Sequence, residues 1–68
     1  MQIRLNGEPH ESFEAITVAD LLRSLGIQEG RVAVELNLTI LPKEEYATTT
    51  LREGDQLEVV HFVGGGTS

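Results

Sequence analysis

A mixed β-sheet of four to five strands, covered on one face by a single helix, is the α+β architecture this sequence predicts. Three observations carry it. Apolar residues alternate with polar ones in short stretches (Ile3 and Leu5; Val32, Val34 and Leu36; Leu57 and Val59), the period of half-buried strands. One stretch alone, Val18, Leu21, Leu22 and Leu25, repeats at helical spacing. The chain has 68 residues and no cysteine, so it is one small domain stabilised by packing rather than by disulfides or cysteine-bound metal.

The elements follow in order. Ile3 and Leu5 alternate with Gln2 and Arg4, and Asn6-Gly7 tolerates the positive φ of a tight hairpin. A second strand is expected over roughly Pro9–Ala15, with Phe13 and Ala15 facing inward and His10, Ser12 and Glu14 outward. Thr17 is placed to cap a helix through its hydroxyl, Asp20 lies near the positive end of the helix dipole, and Gly26 supplies the left-handed residue that ends it. Val32–Leu36 is the third strand. Asn37 begins a turn, with Leu38–Leu41 a short continuation beyond it; Pro42 bars a central strand, and Lys43–Tyr46 fits one helical turn. Thr48-Thr49-Thr50 reads as loop. Arg52-Glu53-Gly54-Asp55 is a turn leading into a last strand, Gln56–Val63, with Leu57 and Val59 inward and Glu58, Val60 and Phe62 outward. If the hairpin and the third strand are parallel neighbours, the crossover between them is right-handed. The domain is expected to span residues 1–63, with residues 64–68 a flexible glycine tail carrying a Thr-Ser extension.

Eleven acids against five bases give a formal charge of −6. Arg4, Arg23, Arg31, Lys43 and Arg52 are scattered singly among acids, which disfavours nucleic acid and anionic membranes as partners. The acidity favours solubility and steering toward a basic protein surface. Met1–Leu5 lacks a signal-peptide core, and no run approaches the ~18–20 apolar residues of a membrane span. The expectation is a cytoplasmic protein, monomeric when free.

Enzymatic constellations are weak. The serines, Ser12, Ser24 and Ser68, do not sit in a nucleophile-turn motif. His10 and His61 lack the spacing of a metal pair, and the adjacent Glu44 and Glu45 point in different directions. No catalytic or metal site of the chain's own is expected. Phe62-Val63-Gly64-Gly65-Gly66 differs, because three glycines abut an apolar strand. Glycine is a poor residue for holding structure, but a backbone without Cβ can enter a narrow channel. Three extended residues reach about 10 Å, enough to present a carboxylate inside another protein while the body docks outside. Val60 and Phe62 form an apolar outer patch suited to such docking. Residues after Val63 are expected to move on the nanosecond scale in the free chain. By itself, a glycine end is equally consistent with a linker.

Tail and element order together resemble the sulfur-carrier proteins of thiamine biosynthesis, a ubiquitin-like β-grasp family related to the small subunit of molybdopterin synthase. The resemblance covers nearly the whole chain. It rests on Met1–Glu8, Thr17–Leu22, Val32–Asn37 with Leu41-Pro42-Lys43, Arg52–Asp55 and, most specifically, Glu58–Gly66. It implies that Gly66 carries a carboxylate which a partner adenylates and converts to thiocarboxylate. Gly65 completes the terminal diglycine, and Gly64 extends a tail entering partner active sites. Val60, Phe62 and Val63 would dock. The implied partners are an adenylating enzyme of the ubiquitin-activating type, a cysteine desulfurase pathway and thiazole synthase as acceptor. The chain itself would bind no cofactor; ATP and magnesium would belong to the partner. Here the sequence continues with Thr67-Ser68 beyond the diglycine; either the dipeptide is removed to expose Gly66 or it is foreign to the functional end, and the full chain is expected to be inactive as an acceptor. Two readings with the same fold stay open: a carrier for molybdopterin or another sulfur metabolite, and a ubiquitin-like modifier joined to lysines.

Overall fold

The computed structural model describes residues 1–12 and 14–62. Five strands form one sheet: β1 (Gln2–Leu5), β2 (Glu8–Glu11), β3 (Val32–Leu36), β4 (Thr39–Leu41) and β5 (Gln56–His61), in the order β2-β1-β5-β3-β4. One helix, α1 (Val18–Ser24), and single 3-10 turns at Glu29–Arg31 and Lys43–Glu45 complete the regular structure of the described residues. The last strand occupies the centre. β5 runs parallel to β1 and antiparallel to β3. The hairpin and β3 are therefore not neighbours, and the simple crossover considered from the sequence does not occur. The centre suits β5 because Leu57 and Val59 bury one face while both backbone edges find a neighbouring strand.

Helix α1 starts as its sequence dictates. Thr17 Oγ1 accepts from Asp20 N–H at 3.1 Å, and Asp20 Oδ2 accepts from Thr17 N–H at 3.2 Å, a reciprocal capping box. These bonds, with the Arg23 guanidinium a smaller influence, hold the Asp20 carboxyl below its ordinary value. The next free amides of the first turn are also satisfied: Val18 N–H donates to Thr49 C=O and Ala19 N–H to Tyr46 C=O. The irregular segment is thereby tied to the helix start, and Leu51 N–H donates to Ile16 C=O beside it. Tyr46 and Leu51 from that segment are buried with Ile3, Leu21, Leu22, Val32, Val34 and Leu57. Burial pushes the Tyr46 phenol up.

Three expectations are corrected. The second strand ends at Glu11 rather than Ala15, and Ala15 is exposed. Beyond Gln2↔Glu11, Met1 and Ser12 still exchange bonds, Ser12 N–H to Met1 C=O and the Met1 ammonium to Ser12 C=O, both at 2.8 Å; Phe13 lies outside the described residues. Leu25 is 38% exposed rather than core, because the helix stops at Ser24 and Leu25 is its C-cap. Thr39–Leu41 does not continue β3 but reverses to pair with it. Asn37 and Leu38 turn the chain with φ of 53° and 72°, a two-residue hairpin that Leu does not advertise in sequence. Strand β5 is described to His61, with Phe62 N–H still donating to Arg31 C=O at 3.0 Å; Val63 lies outside the described residues. Gly26 ends the helix at φ 74°, as expected.

Candidate functional site

Strand β5 outruns β1 toward its C-terminal end, and this end is the candidate site. On the β1 side, backbone pairing stops at Leu5↔Leu57 and Asn6 N–H to Leu57 C=O. Asn6, at φ 52°, then substitutes its side chain for the missing strand: Oδ1 accepts from Val59 N–H at 2.7 Å and Nδ2 donates to Val59 C=O at 3.3 Å. On the other side, β3 pairs with β5 to Val32↔His61, and Arg31 just before it accepts from Phe62 N–H.

Opposed residues in an antiparallel pair share a face, so register defines the surface turned away from the helix. Val60 lies opposite Ala33, and Glu35 stands between Ile40 and Glu58. Val60 and Phe62 are each 59% exposed and Ile40 is 69% exposed. An apolar surface thus borders two carboxylates that face each other with no ion pair among the described residues. A like-charge pair directly across two strands is unfavourable in the free protein, and a cation would relieve it. The sequence pointed to Val60 and Phe62, and the structure leaves both uncovered. It did not find Ile40, because the turn begun at Asn37 was expected to lead into a continuation rather than a reversal, and Leu38 gives no sign of its positive φ. Ala33 and Glu35 were legible from the alternation in β3 but were not assigned to the surface.

Val63, Gly64, Gly65 and Gly66, which the sequence nominated for docking, for the tail and for acyl transfer, lie outside the described residues, as do Thr67 and Ser68. His10 is half-buried on β2 and His61 exposed on β5, with β1 between their strands. Glu44 and Glu45 sit exposed on the 3-10 turn. Among the described residues no three His, Cys, Asp or Glu side chains gather as a metal site would require, and no helix is long and apolar enough to cross a membrane. Two open grooves, of about 460 and 300 Å³, flank the start of β5 around Asn37 with Arg52 and around Arg4 with Glu53. Neither is lined by Val60 or Phe62.

Comparison with known proteins agrees with the fold. The model of the ThiS family matches residues 3–66. The sulfur carrier protein ThiS of Bacillus subtilis is 46% identical over 65 residues, spanning 94% of this chain and 98% of that protein. A thiazole synthase of Magnetococcus marinus is 47% identical over 66 residues; the match covers 97% of this chain but only 20% of the synthase, and in the thiazole synthase of Paramagnetospirillum magneticum only 21%. This chain spans about a fifth of the length of those two relatives. The crystal structure of the thiamine biosynthesis protein ThiS from Geobacter metallireducens superposes with a TM-score of 0.84 at 38% identity, covering 97% of this chain and all of that one.

Proposed function

The chain belongs to the ThiS family, the sulfur carriers of thiamine biosynthesis, and on that premise we propose that it carries sulfur as a thiocarboxylate on Gly66 and donates it to thiazole synthase. The observation that carries this reading is the uncovered end of β5. An exposed apolar patch sits where the strand leaves the body, and the sequence runs on directly into Gly64-Gly65-Gly66, where the family match also ends. The body docks through Val60 and Phe62, with Val63 and Ile40 extending the contact, and the side-chain-free tail reaches the partner's reaction centre.

The chemistry belongs to the partners. An adenylating enzyme of the ubiquitin-activating type holds ATP and magnesium. The Gly66 carboxylate oxygen attacks the α-phosphorus, pyrophosphate leaves, and a mixed anhydride forms. Cysteine desulfurase supplies sulfur as a protein persulfide, whose terminal sulfur attacks the acyl carbon and expels AMP. A thiol then cleaves the S–S bond, leaving the thiocarboxylate on Gly66 and a disulfide on the thiol partners. Activation is required because a free carboxylate has no adequate leaving group. The thiocarboxylate then gives its sulfur to the thiazole-forming enzyme. Alignment with a fifth of two thiazole synthases supports that acceptor over molybdopterin, since it places a domain of this kind in the same polypeptide as the enzyme it would serve.

Adenylation needs a free carboxylate on Gly66. The test is intact mass after incubation with the adenylating enzyme, ATP and a sulfur source, for chains ending at Gly66 and at Ser68. The chain ending at Gly66 should exchange one oxygen for sulfur and the longer one should not. Equal sulfur uptake by both would defeat the assignment of Gly66.

A further inference from the structure

Pairing between β3 and β4 runs Leu36↔Thr39, Glu35↔Ile40, Val34↔Leu41 and stops there. Continuing that register, the residue opposite Val32 would be Lys43. Pro42 has no amide proton, and Lys43 opens a 3-10 turn, so its backbone does not extend the ladder. Its side chain returns instead: Lys43 Nζ donates to Val32 C=O at 3.2 Å. The same ammonium lies 5.4 Å from the centroid of the Phe62 ring, within the range of a cation–π contact. One cation therefore joins the first residue of β3 to the exposed ring at the end of the described chain. Exposed as Phe62 is, its ring has little neighbouring packing to fix its rotamer.

We propose that Lys43 is a positioning residue: anchored on Val32, it holds the Phe62 ring in the orientation that the adenylating partner receives. This rests on the docking role given above to Phe62. The physical gain is pre-organisation, since a ring already held in one rotamer loses less freedom on binding. Asn6 acts on the opposite flank of the same strand, fixing Val59, so the strand is secured from one side and its last ring from the other.

The experiment compares, in chains ending at Gly66, the parent with Lys43→Met, Lys43→Arg, Phe62→Leu and the Lys43→Met/Phe62→Leu double variant. Two quantities are read: Phe62 ring proton shifts in the free chain, and KM and kcat for ATP–pyrophosphate exchange with the adenylating enzyme from the same cell. Lys43→Met should move the ring shifts and raise KM about three- to fivefold, the scale of an exposed cation–π contact, with kcat unchanged. Lys43→Arg should restore both. On the Phe62→Leu background, Lys43→Met should add nothing, because the lysine acts through the ring. An additive effect would mean that Lys43 touches the partner itself, and unchanged ring shifts would remove the contact; either overturns the inference. If Phe62→Leu raises KM while Lys43→Met does not, docking through Phe62 stands and the inference falls. If Phe62→Leu leaves KM unchanged, both fall.

Discussion

The Asn6 side chain brackets Val59, accepting its N–H at 2.7 Å and donating to its C=O at 3.3 Å across 53 positions of sequence. A hairpin-turn residue thus acts as one more unit of strand β1 beside the central strand, and it fixes β5 just before the exposed patch. Asn6→Gly keeps the left-handed backbone and removes both bonds. It should lower stability by about 1–2 kcal/mol, measured by denaturant unfolding, and speed hydrogen exchange at the Val59 amide. Unchanged exchange at Val59 would show that the bracket contributes nothing.

The turn between β3 and β4 predicts the opposite sign. Leu38 holds φ at 72° with 82% of its surface exposed, so it bears left-handed strain with little packing in return. Leu38→Gly should raise stability by roughly 0.5–1 kcal/mol, read as an increased urea midpoint at constant slope. A lowered midpoint would mean that the leucine makes contacts outweighing its backbone cost.

The capping box gives a mutation and a pH dependence. Thr17→Ala should cost about 1 kcal/mol, since it leaves a first-turn amide without its acceptor. The Asp20 carboxyl is held below its ordinary value of 3.8, first by its bond from the Thr17 backbone. A depressed folded-state value means the unfolded chain binds the proton more readily. Asp20 thus contributes stability that is fully present above pH 3.8 and is lost as pH falls below it, through the folded-state value. Unfolding measured between pH 6 and pH 2 should show a smaller acid-induced loss in Asp20→Asn than in the parent.

Tyr46 is 2% exposed although it follows a short turn in an irregular stretch. Tyr46→Ala should remove about 3–5 kcal/mol, as for other large aromatic truncations, and leave much of so small a domain unfolded. Circular dichroism at 25 °C checks this. Native-like spectra with an unchanged thermal midpoint would contradict the assignment of Tyr46 to the core.

Outer-face substitutions should separate docking from stability. Val60→Asp and Ile40→Thr change side chains that are mostly in water, so thermal midpoints should move little. Affinity for the adenylating enzyme should fall at least about tenfold if the apolar surface is buried there. Unaltered affinity in Val60→Asp would sink the proposed docking surface.

The family, the helix with its cap and stop, strand β3 and the last strand as far as His61 were legible in the sequence because each is a local pattern. Thr17, Asp20 and Gly26 declare a helix through short-range hydrogen bonding and φ preference, and alternation declares a half-buried strand wherever it occurs. Tertiary structure decided what depends on distant partners: that β5 takes the centre between β1 and β3, that β2 ends at Glu11 opposite Gln2, and that Tyr46 is core. It also decided that Asn6 meets Val59, that Lys43 meets Val32 and Phe62, and that Glu35 faces Glu58. Local sequence fixes dihedral preference and apolar period. Register and neighbour identity come from the one packing that buries the common apolar face while pairing the backbone, and no single segment contains that information.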